Sequence, residues 1–176
     1  FSIKPDLSIL CFNSKQLIGN GFVIPSGPLR ESFSSIKRAN CIFVNGDKNS
    51  EFEKKIKEVN ASVKIFYSRY KIKNLEKFQN NTVIAFAGIG NPENFFNLLK
   101  RNNINVKKTF SFSDHYNYSD NDLDKIISSE ENLIYLTTEK DYFRLNDKMK
   151  KKVDYIEVSL EIENKDEFEN FLKSYL

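Results

Sequence analysis

The residues of this chain best suited to chemistry are a histidine and the aspartate before it. His115 is the only histidine among 176 residues, and Asp114 stands beside it, directly after the strand-like run Val106–Phe112. An imidazole titrates near neutral pH and can relay or orient a proton from a hydroxyl group. Strand ends are where α/β sheets expose such groups, although a lone histidine is also often structural. A metal site is not expected here, because the chain has neither a second histidine nor a cysteine pair at ligand spacing.

A second segment, residues 19–31, ends with an arginine beside a carboxylate. Three glycines and two prolines restrict its backbone. Arg30 could fork onto a phosphate, and Glu31 could hold a magnesium ion or a water molecule. A rigid linker with a surface ion pair explains the same residues about equally well. The candidate residues within the loop are Gly19, Asn20, Gly21, Gly27 and Pro28.

A third segment is the turn between a predicted strand, Val83–Ala87, and a predicted helix, Pro92–Arg101. A strand, glycines and a helix amino terminus form the architecture that receives anions. Glu93 occupies the third glycine position of a dinucleotide fingerprint, so a tight packing turn is favoured over a phosphate cradle. No G-x-x-x-x-G-K-[ST] motif occurs, so the chain has no P-loop of its own for ATP. The candidate residues of this turn are Gly88, Gly90, Asn91 and Pro92.

A fourth segment follows the predicted strand Leu133–Leu136 and combines hydroxyl groups with alternating charges. Thr137 or Thr138 could cap a helix, or Lys140 could bind a phosphorylated ligand. The local pattern favours capping. The candidate residues are Thr138, Glu139, Lys140 and Asp141.

The elements that must position these residues alternate between short β-rich runs and helical patterns. This alternation predicts an α/β fold with a largely parallel sheet flanked by helices. The remaining predicted strands are Leu7–Phe12, Cys41–Val44, Val63–Tyr67 and Tyr155–Leu160, and the remaining predicted helices are Ser50–Val59, Ser119–Ile127 and Asp166–Tyr175.

Composition narrows the possible classes of protein. The net charge is +3, and lysines alternate with acids, which argues against a nucleic-acid surface. No run approaches the roughly 20 apolar residues of a membrane span, and no signal peptide is recognisable. The chain opens with Phe1 rather than methionine and enters a strand almost at once, so we expect it to be the interior of a longer protein.

The four segments resemble one family when they are taken in order. Gly-Asn-Gly with Pro-Ser-Gly-Pro-Leu-Arg-Glu, Val-Asn-Gly at 44–46, Ala-Gly-Ile-Gly-Asn-Pro-Glu-Asn-Phe-Phe, Phe-Ser-Asp-His and Thr-Thr-Glu-Lys-Asp are similar to the series in tetraacyldisaccharide 4'-kinases. These are lipid A 4'-kinases of bacteria with a lipopolysaccharide outer membrane. The resemblance runs from about Asp6 to Leu160 and matches the carboxyl-terminal half of the family pattern.

This resemblance implies a two-lobed P-loop kinase that moves the γ-phosphate of ATP, with Mg²⁺, onto the 4'-hydroxyl of a tetraacyldisaccharide 1-phosphate. It implies that Arg30 and Glu31 face the nucleotide and metal, with Glu31 a candidate ligand. Asp114 and His115 would lie in the catalytic cleft, His115 pairing with an aspartate of the missing P-loop half. The role of Glu139, Lys140 and Asp141 does not follow from the resemblance.

The resemblance also implies partners, a location and a division of the chain. The partners are the missing amino-terminal half, a lipid A disaccharide precursor and a membrane surface, with no nucleic acid. The location is the cytoplasmic face of the bacterial inner membrane. Residues 1–31 would end the P-loop lobe and form a hinge, residues 32–150 would form a carboxyl-terminal α/β lobe, and residues 151–176 would be a closing strand and helix.

Two other functions compete with the kinase hypothesis. One is a stand-alone α/β module that binds a phosphorylated or anionic ligand through Arg30, Lys140 and the turn at residues 88–92. The other is a small hydrolase that uses Asp114 and His115. The hydrolase lacks a convincing nucleophile, because neither cysteine is near in sequence and no Gly-x-Ser-x-Gly motif is present.

Overall fold

The computed structural model describes residues 5–127 and 133–175, which form two compact units. The first unit comprises the described residues up to Lys71 and from Leu160 onward, and the second comprises Ile72–Ser159. These bounds differ from the three segments expected from the sequence. Residues 5–31 lie within the first unit, and the described residues between 32 and 150 include parts of both.

The described residues contain eight strands and six α-helices, and two short 3-10 helices at Phe33–Arg38 and Leu75–Lys77. In chain order the elements are β1 (Ile9–Asn13), β2 (Cys41–Asn45), α1 (Ser50–Val59), β3 (Lys64–Ile72), β4 (Thr82–Ala87), α2 (Pro92–Arg101), β5 (Asn105–Ser111), α3 (Asp120–Ile126), β6 (Leu133–Thr138), α4 (Glu139–Tyr142), α5 (Asp147–Lys150), β7 (Val153–Ile156), β8 (Val158–Ile162) and α6 (Lys165–Lys173).

The first unit is built on a sheet with the strand order β1-β2-β3-β8, in which β1, β2 and β3 run parallel. Helix α1 starts where the Asn49 side chain accepts the Phe52 N–H, and its apolar side chains Phe52 and Ile56 pack with Val44 on one face of the sheet. The opposite face packs under α6, where the ring of Phe168 contacts the rings of Phe43 and Phe66 edge-on. Helices therefore cover both faces of a sheet whose first three strands are parallel.

The second unit contains a sheet with the strand order β5-β4-β6-β7, and all three pairings are parallel. Its central strand β4 is buried on both faces. Helix α2 packs Phe96 and Leu99 against Val83 on one face, while Phe86 packs with Met149 on the other. The α/β class with parallel strands between helices is thus confirmed, with the strands divided between two sheets.

The prediction of a single strand over Tyr155–Leu160 is wrong. The run Tyr155–Leu160 is not a single element, because it divides into β7 in one sheet and β8 in the other. The break falls at Glu157, whose N–H donates to Asn74 Oδ1 at 3.0 Å and whose carbonyl accepts the Lys73 N–H at 2.8 Å. The Asn74 side chain also donates to the carbonyl of Tyr155 at 2.9 Å. These bonds join Glu157 to the segment that follows β3, at the point where the chain leaves β7 and enters β8.

Candidate functional site

Three of the four sequence segments meet at one edge of the sheet in the second unit. The turn 88–91 follows β4, the loop 112–119 follows β5, and α4 follows β6. Strands β5, β4 and β6 are adjacent and parallel, so their carboxyl ends lie side by side. This is the edge at which open α/β sheets carry ligand and catalytic residues.

The side chain of Asp141 connects α4 with the turn at residues 88–91 and with Arg144, which follows the helix. It is fully buried, and its Oδ2 atom accepts hydrogen bonds from the Gly88 N–H at 3.0 Å and from Thr138 Oγ1 at 2.7 Å. The guanidinium of Arg144 lies 3.4 Å from Oδ1. Both carboxylate oxygens are therefore engaged by donors, as a buried charge requires.

Thr138 is the amino-terminal cap of α4, as capping by one of the two threonines predicted. Its Oγ1 accepts the N–H of Asp141 at 3.1 Å while its hydroxyl donates to the carboxylate of the same residue. The other threonine, Thr137, is fully buried and donates to the Phe86 carbonyl at 2.7 Å. The two hydroxyls thus fix the short helix and tie β6 to β4.

Arg144 extends this network from the buried carboxylate to the histidine. Its NH1 nitrogen also donates to the Gly88 carbonyl at 3.3 Å, and its NH2 nitrogen lies 2.9 Å from Nδ1 of His115. Arg144 lies outside the four segments selected from the sequence. Its spacing of three residues from Asp141, which suits an ion pair across one turn, was the available signal.

His115 has a backbone conformation that is uncommon for a residue with a side chain. Its φ is +59°, in the left-handed region. Its N–H donates to the Gly88 carbonyl at 3.1 Å and to Asp114 Oδ1 at 3.0 Å, and these bonds maintain the turn. The imidazole is 70% exposed, with Nε2 located 3.8 Å from Asp114 Oδ2. An accessible imidazole on a fixed backbone is suited to proton transfer at a bound ligand.

Asp114 lies between the His115 imidazole and the Lys140 ammonium. In addition to His115 on one side, the ammonium of Lys140 is 3.9 Å from Asp114 Oδ1. Both Asp114 and Lys140 are about half exposed, so this contact is a surface pair with little effect on stability. It does place a lysine beside the aspartate-histidine pair, where an anionic ligand could be recognised.

The turn at residues 88–92 is a packing turn around Gly88. A Cβ atom at Gly88 would lie 2.8 Å from the Tyr118 hydroxyl and 3.1 Å from Tyr116 Cβ, so no larger residue fits without movement. Burial raises the pKa of Tyr118 far above its usual range, and the nearby Asp141 carboxylate raises it further. At Gly90 a Cβ would meet only ordinary contacts, the nearest being Asp114 Oδ2 at 3.6 Å. The following helix begins with Asn91 as its cap residue and Pro92 in the first turn.

The loop that follows β1 belongs to the first unit and is closed by its own side chains. Asn20 accepts the Phe22 N–H at 3.1 Å and donates to the Ser26 carbonyl at 2.8 Å. A Cβ at Gly27 would fall 2.2 Å from Asn20 Oδ1, and a Cβ at Gly19 would fall 2.6 Å from Pro28 Cγ. Among the loop residues chosen from the sequence, these four therefore maintain the shape of the loop. Gly21, with φ +80°, has nothing within 4 Å of such a Cβ and supplies a turn conformation instead.

Arg30 and Glu31 follow this loop, and both are exposed. The carboxylate of Glu31 pairs with the guanidinium of Arg38, seven residues later, a partner not predicted from the sequence. Hydrogen bonds from Arg38 and then Ser35 lower the pKa of Glu31 below its usual range. No group of three or more His, Cys, Asp or Glu side chains that could hold a metal ion occurs within residues 5–127 and 133–175. By themselves these residues do not fit a magnesium site.

Comparison with known proteins identifies the family. A family model for tetraacyldisaccharide-1-P 4'-kinase (LpxK) matches residues 1–176. The tetraacyldisaccharide 4'-kinase of Pelagibacter ubique is 37% identical over 97% of this chain and 56% of its own length. That of Rickettsia akari is 36% identical over 92% of this chain and 49% of its own length. The chain thus spans about half the length of the curated relatives it matches.

A solved structure gives the same answer from the fold. The crystal structure of LpxK from Aquifex aeolicus, an apo form in complex with ATP, superposes with a TM-score of 0.64 at 27% sequence identity. The match covers 98% of this chain and 53% of that protein. Because the family model matches along the entire chain and the fold agrees, the chain belongs to the tetraacyldisaccharide 4'-kinase family.

Proposed function

We propose that this chain is the carboxyl-terminal part of a tetraacyldisaccharide 4'-kinase that transfers the γ-phosphate of ATP to the 4'-hydroxyl of a tetraacyldisaccharide 1-phosphate in lipid A biosynthesis. Family membership and coverage of about half of each relative support this assignment. ATP as the donor is supported by the ATP complex of the Aquifex aeolicus protein. The chain contains no P-loop motif, so we propose that it works only together with an amino-terminal half that supplies one. A stand-alone binding module is not favoured by these matches.

The observation that carries the proposal is the exposed Asp114–His115 pair on a fixed backbone. Phosphoryl transfer demands positioned charges and a group that accepts the proton of the attacking hydroxyl. In the proposed reaction the sugar hydroxyl loses its proton to a carboxylate paired with His115, while its oxygen bonds to the γ-phosphorus and ADP departs. Lys140, 3.9 Å from Asp114, adds positive charge beside this pair.

We propose that Arg30 and Glu31 face the nucleotide. Arg30 is exposed and presents a forked donor suited to phosphate oxygens. Glu31 as a ligand of Mg²⁺ requires two further conditions, because its carboxylate is held by Arg38 and the described residues do not form a metal site around it. It must separate from Arg38, and the other ligands must come from ATP or from outside this chain.

The division of the chain into a P-loop lobe end and hinge (1–31), a carboxyl-terminal lobe (32–150) and a closing strand and helix (151–176) remains a prediction about the complete kinase.

We further propose that the enzyme works at the cytoplasmic face of the bacterial inner membrane. The acyl chains of the proposed substrate support a membrane surface as its place of action. Within the residues that the structure describes, no helix has the length and apolarity needed to cross a bilayer.

The test is a phosphorylation assay on the longer polypeptide, in which this chain is joined to its P-loop half. Transfer of labelled γ-phosphate to the 4'-position of a tetraacyldisaccharide 1-phosphate is the expected result. His115→Ala should lower kcat by about 100-fold or more, as loss of a general base or its partner does. Lys148→Met is the matched control, because Lys148 forms only an exposed ion pair with Asp120 in the same unit. A failure to phosphorylate the sugar refutes the function, and near-normal turnover of His115→Ala refutes the role of His115.

A further inference from the structure

We propose that Arg144 is a positioning residue that holds the His115 imidazole with Nδ1 as the acceptor and the proton on Nε2. The catalytic consequence rests on the proposed kinase function, but the pairing itself does not. The proposal assigns a role to a residue that lies outside the four sequence segments.

The first argument is the chemistry of the contact. A guanidinium contains only donors and stays protonated in proteins, so it can approach a ring nitrogen only where that nitrogen offers a lone pair. Arg144 NH2 lies 2.9 Å from His115 Nδ1. The Nδ1 atom is therefore the acceptor, and in the neutral ring the proton resides on Nε2.

The second argument is that Arg144 is itself held in place. Its NH1 nitrogen contacts the fully buried carboxylate of Asp141 at 3.4 Å and the Gly88 carbonyl at 3.3 Å. The side chain of Arg144 is 21% exposed, whereas that of His115 is 70% exposed. The contacts thus run outward from a fixed, buried anion to an imidazole that would otherwise be free to rotate. A support of this kind is what a preorganised site requires.

The third argument is that the backbone and the ring of His115 are tied to the same atom. The Gly88 carbonyl accepts both the His115 N–H at 3.1 Å and Arg144 NH1. One carbonyl therefore sets the left-handed backbone of His115 and the guanidinium that holds its ring. Strained backbone that its surroundings fix in this way is concentrated at functional sites.

The consequence concerns the direction of proton transfer. With Nδ1 occupied, His115 offers Nε2–H as a donor, and the nearest carboxylate oxygen given by the structure is Asp114 Oδ2 at 3.8 Å. An Nε2–H donor orients a carboxylate, which then takes the substrate proton while the hydroxyl oxygen bonds to phosphorus. Arg144 acts on the reaction through His115 and not by contact with the reacting atoms.

The pairing is tested first by ¹⁵N NMR of the imidazole in this chain. His115 is the single histidine, so ¹⁵N-histidine labelling gives one pair of ring signals. At a pH about two units above the ordinary imidazole value, we expect a protonated Nε2 and a hydrogen-bonded acceptor Nδ1. In Arg144→Lys, whose single nitrogen cannot span Asp141, Gly88 and His115 together, the two shifts should move toward each other as the tautomers exchange. Lys148→Met should leave both shifts unchanged.

Arg144→Lys is chosen because it keeps a positive charge beside the buried Asp141. Arg144→Met removes that charge and is made in parallel, and circular dichroism reports whether each variant is folded. Identical ring shifts in the wild-type chain and in folded Arg144→Lys overturn the pairing.

The catalytic consequence is tested by a double-mutant cycle in the longer kinase. Arg144→Lys should lower kcat at least ~10-fold with KM unchanged, as the loss of a residue that orients a catalytic histidine does. In a His115→Ala background the same change should lower kcat by no more than about 2-fold, because the residue through which it acts is gone.

The outcomes separate the two proposals. An equal loss of activity in both backgrounds shows a general structural role and overturns positioning through His115. An absence of sugar phosphorylation in the wild-type kinase refutes the proposed function instead, while the NMR experiment still decides whether Arg144 holds the ring.

Discussion

Each unit buries polar side chains completely, and Asp141 in the second unit differs from Ser68 in the first in its hydrogen bonds. Asp141 in the second unit has donors on both carboxylate oxygens, from Gly88, Thr138 and Arg144. Ser68 in the first unit lies in register with Asn45, the last residue of β2, and its Oγ atom has no hydrogen-bond partner among the described residues. Asp141, whose two oxygens both have donors, is connected through Arg144 to the candidate catalytic residue His115.

This difference shows which part of the fold contains an organised network of buried hydrogen bonds. A buried carboxylate is tolerated only when its partners are precisely arranged, and that arrangement fixes Gly88, α4 and, through Arg144, the ring of His115. A buried hydroxyl without a partner has a smaller cost and positions nothing. Unequal effects of mutations at the two places would confirm this contrast, and similar effects would remove it.

The largest effect is expected from Asp141→Asn. The amide keeps one acceptor but turns donors toward Arg144 or Gly88, so the guanidinium loses its anion in a buried place. We expect a loss of about 3 kcal/mol in the free energy of unfolding, measured by denaturant titration of the chain.

The control for this variant is Asp154→Asn, which breaks an exposed pair with Lys77 in the same unit. It should change the free energy of unfolding by less than about 0.5 kcal/mol. Equal losses in the two variants would show that the Asp141 network has no special weight.

The sequence was sufficient to predict the elements that carry strong local signals. Helices α1 and α2 have the predicted bounds, since α1 carries an amphipathic stripe and α2 begins with Pro92, a helix-start signal. A helix start after Thr137 or Thr138 was predicted from the capping threonines, but the bounds of α4 were not, and α5 was not predicted at all, because a single turn shows no periodicity. The division of Tyr155–Leu160 was also missed, because the bonds that interrupt it come from Asn74, more than 80 residues earlier.

The candidate site residues with local sequence signals could be selected from the sequence, whereas those whose role depends on distant contacts could not. Asp114, His115 and Asp141 were all selected, and the structure brings their segments to one sheet edge. The role of Asp141 could not be derived, because its partner Gly88 is 53 residues away in sequence. Arg144 was overlooked because its importance depends on a contact with His115 across 29 residues.

A medium effect is expected from Gly88→Ala, which tests whether the edge of the second unit is rigid. The added Cβ would lie 2.8 Å from the Tyr118 hydroxyl and 3.2 Å from the Ser113 carbonyl, so the loop or the ring must shift. Overpacking of this kind costs about 1–3 kcal/mol, measured by the same titration.

Two variants sharpen this prediction. Gly90→Ala meets its nearest neighbour at 3.6 Å and should be close to neutral. Gly88→Ala combined with Tyr118→Phe removes the nearest atom and should recover part of the loss. If the Gly88→Ala chain is as stable as the Gly90→Ala chain, the loop around Tyr118 can shift at little energetic cost and this sheet edge is not rigid.

The smallest effect is expected from Ser68→Ala in the first unit. The hydroxyl is fully buried without a hydrogen-bond partner in the described part of the chain, so its removal eliminates a desolvation cost while the methyl-sized residue leaves little space. We expect no change or a gain of up to about 1 kcal/mol in the free energy of unfolding.

The matched variant is Thr137→Val in the second unit, since Thr137 is equally buried but donates to Phe86 at 2.7 Å. It should lose about 1 kcal/mol, because a buried hydrogen bond is broken with little change of volume. The opposite ranking, with Ser68→Ala the more damaging variant, would show that the first unit also depends on a polar group in its sheet.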